Sequence, residues 1–331
     1  MNTINYILPK KDSLFEPLNS IRVKITDSCK WNCYWCHNEG TGSRTKKLIQ
    51  EIDFFNEKFW EEFVKFTKLL NITEVHLTGG EPSLHPKISE IIKKLNSNNY
   101  IVKMTSIGSE KYIFDKIIMS GIHSINFSLH AINKEHMYET QINRSKKSID
   151  YNHKKLLEII EYSKNKGIDI KINTVLANKK DFERANDVLQ WASKRKIPVR
   201  LLPEINKNKE SIRAIIEFLK SLRAKESRRK YILGSSSGTI FYNIPKIGEI
   251  GFKVLIPNYL NSMCKQCKIK ELGMCNEYFY GIRLEKRLDD FYLRLCIHKT
   301  SEETFFRMKD SINSMVFNEI KMKRLCKRRE D

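Results

Sequence analysis

Apolar positions along the chain alternate between two periods. In EKFWEEFVKFTKLL, residues 57–70, Phe59, Phe63, Phe66 and Leu70 recur at the spacing that puts them on one helical face. EVHLT follows at 74–78 as a short apolar strand running into GGEP. The alternation then repeats. HPKISEIIKKLNSN predicts a helix, IVKMTS a strand, KYIFDKIIMSG a helix closed by Gly121, and SINFSLH a strand. HKKLLEIIEYSKNKG, DIKINTVLA, FERANDVLQWASKRK and VRLLPE continue as helix, strand, helix, strand. With SIRVKIT as an opening strand, about six strands are interleaved with helical stretches, the signature of parallel strands joined by crossover helices. Residues 21–206 are too few for a full eight-unit barrel. The expectation is an α/β core forming an open, partial (β/α)6 TIM-like barrel.

Around this core the pattern changes. Residues 1–20 form an N-terminal arm ahead of the first strand. After residue 206, NKNKESIRAIIEFLKSLRAKESRRK reads as one polar-flanked helix and GSSSG at 234–238 as a flexible connection, so 207–245 is expected to be a helical linker. Residues 246–331 form a second, smaller unit with short strand-like pieces and four grouped cysteines, Cys264, Cys267, Cys275 and Cys296. No internal repeat is present beyond the strand-helix alternation.

Composition bounds the class. With 40% hydrophobic and 10% aromatic residues the chain can bury a real core. It has no apolar run of membrane-spanning length, and MNTINYILPKKDSLFEP lacks the order of a signal peptide. A cytoplasmic protein with no membrane partner is therefore expected. Lys and Arg total 60 against 39 Asp and Glu, a net charge of +21 that raises a polyanion as partner. The lysines are spread along the whole chain, however, and only KMKRLCKRRED is a concentrated basic run. A general composition bias accounts for that distribution, so nucleic acid is not the expected partner. Eight cysteines in groups suit metal or catalytic use in a reducing compartment better than a disulfide framework.

The first group lies in TDSCKWNCYWCHNEG, residues 26–40, as Cys29-x3-Cys33-x2-Cys36. A structural zinc site takes four protein ligands, usually from two separated pairs. Three thiolates on one loop suit a [4Fe-4S] cube whose fourth iron is open to a substrate or cofactor, whereas a fully ligated cluster mainly carries electrons. Buried or zinc-binding cysteines remain the alternative at this point.

These residues resemble the signature of the radical S-adenosylmethionine superfamily, in which an aromatic residue, here Trp35, precedes the last cysteine of the triplet. LTGGEP at 77–82 resembles that superfamily's Gly-Gly-Glu-Pro stretch at the end of the second strand. The resemblance implies that S-adenosylmethionine chelates the open iron and that one electron cleaves it to a 5'-deoxyadenosyl radical, which takes a hydrogen atom from the substrate. It implies Cys29, Cys33 and Cys36 as cluster ligands. Gly79, Gly80 and Glu81 would hold the methionine end, Trp35 would lie near the adenine, and Ser128 near the ribose or carboxylate. Thr105 and Ser106 are further candidates for that cavity.

Within the superfamily the chain is most similar to the GTP 3',8-cyclase family. IRVKITDSC and KINTVL resemble strands that carry nucleotide-contacting residues, here Arg22 and Lys171. His76 stands where the family has a substrate arginine. PKIGEIGFKVLIP with Cys264 and Cys267, then Cys296 in LRLCIH, resembles the approach to a second [4Fe-4S] cluster. Cys275 is extra, and as a fourth ligand it would close that cluster; a zinc ion at the four cysteines is the alternative. The arginine-rich stretch after the family's Cys-x2-Cys is replaced by KIKELGMCNEYFYGIRLEKRLDD, and the chain ends in RRED rather than Gly-Gly. Cys326 reads as a free thiol, His37 and His85 as packing or polar contacts. His130 and, by position alone, Glu204 are candidates to touch ligand.

The expected function is hydrogen abstraction from a nucleotide- or nucleoside-like small molecule, with rearrangement or cyclisation, supported by a reductant such as flavodoxin or ferredoxin. A peptide maturase or amino-sugar dehydrogenase would use the same two-cluster plan. The competing class is a non-catalytic, zinc-stabilised nucleic-acid-binding protein.

Overall fold

A computed structural model describes residues 3–36, 51–287, 290–298 and 304–325, so His37 and Cys326 lie outside the described residues. The core is six parallel strands, β2 (Ser20–Thr26), β3 (Glu74–Gly79), β4 (Ile101–Ser106), β5 (Ser124–Ser128), β6 (Asp169–Val175) and β7 (Val199–Leu202). They lie side by side in that order. It is the partial (β/α)6 barrel that the periodicity predicts.

Alternation within the strands separates two faces. Val23, Val75, Leu77, Val102, Met104, Ile125, Phe127 and Ile172 are fully buried and join one continuous core with the helices. Helix α2 (Glu57–Leu69) contributes Phe59, Phe63 and Phe66 to it, α3 (Ile88–Ser97) Ile91 and Leu95, and α6 (Lys146–Asn165) Leu156 and Ile160. The intervening positions carry polar side chains. Arg22 pairs in register with His76 and His76 with Lys103; Asn126 pairs with Lys171, and Asn173 with Arg200. Because paired residues of neighbouring strands point to the same side, these groups line the barrel interior.

Both ends of the core sheet are extended. On one side β10 (Gly248–Leu255) pairs in parallel with β7, followed by antiparallel β9 (Ser237–Ile244) and β8 (Lys225–Leu233), and then β1 (Leu14–Pro17), parallel to β8. On the other side β11 (Ile282–Arg287) pairs in parallel with β2, followed by antiparallel β12 (Asp290–Arg294) and β13 (Phe305–Arg307). The described strands make a single sheet of 13.

The segment 207–245 differs from its expected helical form. Its helix, α8 (Asn208–Ser221), stops where Arg223 takes a φ of 54°, and residues 225–233, charged at five of the first six positions, form a strand. Arg229 explains how so charged a strand is tolerated. It is 3% exposed, pairs with Glu226 at 2.8 Å, and donates to the carbonyl of Tyr6 at 2.9 Å and to that of Leu8. GSSSG is a tight turn rather than a loose connection. Gly234 has a φ of 76°, and the buried Ser236 donates its N–H to the Phe279 carbonyl at 2.7 Å and its hydroxyl to the Glu277 carbonyl at 2.8 Å. Within residues 1–20, a short helix, Thr3–Ile7, and β1 dock on β8, where Tyr231 Oη donates to the Ile7 carbonyl at 2.7 Å.

Candidate active site

The site forms at the carboxyl ends of the parallel strands, where the backbone leaves the sheet and loops converge. The loop after β2 carries Cys29, Cys33 and Cys36 and is pinned to residues 140–142. Asn32 N–H donates to Gln141 Oε1 at 2.8 Å, Tyr34 N–H to the Thr140 carbonyl at 3.2 Å, and Ile142 N–H to the Asn32 carbonyl at 2.9 Å. Gln141 Nε2 also reaches Cys33 Sγ at 3.3 Å, and Arg144 reaches the Cys29 carbonyl at 3.2 Å. Behind the loop, Trp31, Ala131, Met137 and Ile149 make a separate small core. Cys29 and Cys33 are half-buried and Cys36 is exposed.

Gly79 and Gly80 explain why this loop can sit against the sheet. A Cβ on Gly79 would lie 2.2 Å from the Thr26 carbonyl oxygen, and one on Gly80 would lie 2.2 Å from that of Ser28. Gly79 also has a φ of 146°. Gly80 N–H donates to Thr26 O at 2.8 Å and Glu81 N–H to Ser28 O at 2.6 Å. The two glycines thus seat the cysteine loop directly. Glu81 itself is wholly buried, accepting from Ser83 N–H at 3.0 Å, Ser106 Oγ at 2.7 Å and Ile107 N–H at 2.6 Å. Burial raises its pKa against those three donors. Its carboxylate ties the end of β3 to the end of β4, and Ser106 is part of that tie.

The remaining candidates spread around the barrel. Trp35 stands edge-on to His130, with ring centroids 4.8 Å apart, and the Arg184 guanidinium lies 5.6 Å from its ring. His130 is buried and held neutral: burial, with Arg184 nearby, drops its pKa to about 3, and its Nδ1 accepts from Val175 N–H at 3.3 Å. Thr105 hydrogen-bonds His76 Nε2 at 2.7 Å, which joins two candidates on adjacent strands. Ser128 is half-buried at the end of β5. His85 is a packing residue whose Nδ1 accepts from Lys87 N–H at 3.1 Å. Glu204 is buried just beyond β7, and burial raises its carboxyl pKa.

Deeper in the barrel the polar face becomes basic. Lys171 is exposed on this face, yet desolvation of its ammonium, with Arg200 close by, lowers its pKa to about 8. Tyr280 stands at the centre of a cationic group that motif reading alone overlooks. Arg22 and Arg283 lie 6.0 and 5.2 Å from its ring centroid, and Lys253 Nζ lies 4.9 Å from it. Lys253 first, then Arg22, Arg200 and Arg283, lower the phenol pKa to about 8 against the opposing effect of burial. Glu277, wholly buried, meets Arg283 at 2.6 Å and accepts from Ile297 N–H at 2.6 Å. One sequence signal does exist: a lysine inside the apolar run IGFKVLI.

The second cysteine group lines one cavity. Cys264, Cys267, Cys275 and Cys296 share it with Tyr259 and Tyr278. Among the described residues, no three His, Cys, Asp or Glu side chains converge tightly enough to hold a single metal ion. The thiols of both sets are spread around a loop and a cavity. Burial pushes Cys29 up to about 12 and Cys264 up to about 11, so an adjacent positive metal centre is what would make thiolates there. No described helix is long and apolar enough to cross a membrane.

A six-stranded parallel half-barrel with a three-cysteine loop seated on a Gly-Gly-Glu turn defines a class. The Radical SAM superfamily profile matches residues 23–192, just over half of the chain. The chain belongs to the radical SAM superfamily, which implies a [4Fe-4S] cluster and S-adenosylmethionine. Among its relatives it is 30% identical over 125 residues to a probable GTP 3',8-cyclase of Thermococcus kodakarensis, covering 38% of this chain and 39% of that one. It is 22% identical over 321 residues to a probable GTP 3',8-cyclase of Thermoplasma volcanium, covering 89% and 92%. Two solved structures share the fold. One is anSMEcpe with bound AdoMet, with a TM-score of 0.56 and 14% identity over 93% of this chain and 79% of that one. The other is Streptococcus suis SuiB bound to S-adenosylmethionine, at 0.54 and 12% over 91% and 65%.

Proposed function

We propose that this chain is a radical SAM enzyme acting on a small, anionic, nucleotide- or nucleoside-like substrate, which it rearranges or cyclises after hydrogen abstraction. The observation that carries the substrate reading is the basic interior, with Arg22, Arg200, Lys253 and Arg283 gathered around Tyr280. A cationic cavity within low-dielectric walls favours an anionic guest. The relatives named probable GTP 3',8-cyclase support the same substrate class.

Cys29, Cys33 and Cys36 would ligate the first cluster, and with bound S-adenosylmethionine it supplies the radical that takes the hydrogen atom. Gly79 and Gly80 seat the ligand loop and present their peptide edge to the methionine end, with Glu81 and Ser106 fixing that edge. Trp35 packs toward the adenine, backed by neutral His130, and Ser128 and Thr105 offer hydroxyls to the same cavity. Arg22 and Lys171 hold the substrate anion, with His76 fixed between them and the cofactor end by Thr105. Cys264, Cys267, Cys275 and Cys296 would hold a second [4Fe-4S] cluster in the unit 246–331, outside the core of 21–206. A small reductant such as flavodoxin or ferredoxin would supply the electron.

The test is anaerobic purification, metal analysis, and incubation with S-adenosylmethionine, a reductant and a panel of nucleotides. The expected outcome is iron without zinc, formation of 5'-deoxyadenosine, and a nucleotide-dependent rise in its rate. Replacing Cys29, Cys33 and Cys36 together with Ala should remove about four irons and abolish that cleavage. Zinc in place of iron would favour the non-catalytic nucleic-acid-binding alternative. Cleavage stimulated by a peptide and by no nucleotide would favour a maturase.

A further inference from the structure

Lys253 occupies a position that the fold alone does not explain. It lies in β10 within IGFKVLI, flanked by Phe252 and Val254, both fully buried, and is itself only 8% exposed. Burying an ammonium in such a setting costs several kcal/mol unless a counter-charge or good hydrogen bonds offset it. Its Nζ donates to Ser237 Oγ and faces the Tyr280 ring, and no carboxylate pairs with it among the described residues. Arg200 is in the same condition, with its Nε donating to Asn173 Oδ1 at 3.0 Å and no carboxylate partner among the described residues.

Register puts the two cations on one wall. Arg200 of β7 pairs with Gly251 of β10, so Lys253, two residues on, projects from the same face. Gly251 keeps the space between them open: a Cβ there would lie 3.1 Å from Thr239 Cγ2 and 3.5 Å from Arg200 Cγ. Ser237, just before Gly238 in the tight turn, fixes Lys253 from below. Tyr280 faces both cations from the strand approach to β11, and among the described residues its phenol is the one group close to Lys253 that can carry negative charge.

We propose that Lys253 is a specificity-determining substrate ligand, whose ammonium takes a phosphoryl oxygen of the substrate while Tyr280 holds the ammonium in place before the substrate arrives. The proposal rests on the nucleotide-like reading above and adds a residue and a chemical group to it. Arg283, already neutralised by Glu277, frames the pocket, and the uncompensated charge sits on Lys253 and Arg200. The substrate supplies the missing anion.

The arrangement also fixes a pH dependence. Lys253, Tyr280, Arg22, Arg200 and Arg283 face one another, and Lys253 and Tyr280 both titrate near 8. Below that pH the lysine is charged and the phenol neutral, which favours an anion. Above it the coupled pair gives up one proton, leaving either a neutral lysine or a phenolate against the ammonium, so phosphate affinity falls as pH rises through about 8.

Calorimetric titration of the anaerobically purified full chain with GTP, inorganic triphosphate and guanosine tests this, using wild type, Lys253→Met, Lys253→Arg and the exposed-surface control Lys154→Met. The expected result is that Lys253→Met weakens GTP and triphosphate binding by roughly 10- to 100-fold, the size of one charge-assisted contact, and flattens the pH dependence. Lys253→Arg should restore most of the affinity, and Lys154→Met should match wild type. Thermal unfolding and iron content identify a Lys253→Met protein that has merely failed to fold, in which case Lys253→Gln and Tyr280→Phe carry the same comparison. Phosphate binding that Lys253→Met leaves within about two-fold of wild type overturns this proposal alone. Wild-type protein that binds neither phosphate overturns the nucleotide reading and this proposal with it.

Discussion

At the scale of single residues, the Gly-Gly-Glu turn works on the protein before it works on any ligand. Gly80 has a carbonyl oxygen within 2.2 Å of where its Cβ would be, and that oxygen belongs to Ser28, one residue before Cys29. A methyl group there cannot be absorbed by a flexible side chain, because the obstacle is backbone. Gly80→Ala should therefore displace the cysteine loop and lower iron in the first cluster, which metal analysis and the cluster's visible absorbance would register. Full iron loading with weakened S-adenosylmethionine binding would instead assign Gly80 to the cofactor alone. Glu81 makes a different prediction. Its carboxylate accepts three hydrogen bonds inside the protein, so Glu81→Ala strands buried donors on Ser106 and Ile107. The expected cost is roughly 2–4 kcal/mol of stability, measured by denaturant unfolding. Any effect on the cofactor would come through the shifted β3 and β4 ends.

At the scale of elements, what was legible in the sequence is what apolar periodicity can encode. The phenylalanine face of α2 is an example: Phe63 is fully buried, with ring centroids of Phe54, Phe59, Trp60 and Tyr100 all within 5.7–5.8 Å. Phe63→Ala should cost about 3–5 kcal/mol in denaturant unfolding. The parallel strands were legible for the same reason, and the cysteine loop and Gly-Gly-Glu turn through their fixed spacing. β8 was not, because KESRRKY hides its period of two under charge, and part of its anchorage comes from the N-terminal arm, 221 to 224 residues away. Arg229 reaches the carbonyls of Tyr6 and Leu8, while Glu226 is held near a pKa of about 2 chiefly by Arg229, with Lys10 adding to it. Tyr280 and Lys253 were illegible as a pair because only the pairing of β11 with β2 and of β10 with β7 brings their segments to one cavity. The Glu226 link gives a pH prediction. A carboxylate whose folded pKa is depressed stabilises above its unfolded value, about 4.5, and loses that contribution as pH falls toward about 2. Cleavage of the N-terminal arm by an acid protease should rise over that window, and Arg229→Met should expose the arm already at neutral pH.

At the scale of the whole molecule, one strand joins the two cysteine sets. β11 lies against β2, which runs into the first cysteine loop, and against β12, which runs into Cys296. Arg294, 1% exposed, spans this junction, with its Nε donating to the Cys296 carbonyl at 3.1 Å and a second nitrogen 3.6 Å from Glu285. Glu277 adds a second stitch, since it follows Cys275 by two residues, accepts from Ile297 N–H and meets Arg283 in the barrel. The loops bearing Cys275 and Cys296 are therefore tied to each other and, through Arg283, to the basic face of the sheet. Cys275 lines the same cavity as Cys264, Cys267 and Cys296, with Tyr259 and Tyr278 closing around it, their centroids 5.2 Å apart. If this group holds a second cluster, a fourth thiolate and an aromatic wall would favour a closed cluster shielded from water over one with an iron open to substrate. On that assignment Cys275→Ala should lower iron from about eight toward about four per chain and slow turnover. The first cluster's S-adenosylmethionine-dependent paramagnetic signal should persist in the same variant. Iron counting with Mössbauer spectra of wild type and Cys275→Ala decides the matter. A variant that keeps about eight irons with spectra unchanged from wild type would defeat four-cysteine ligation and leave an iron open to substrate.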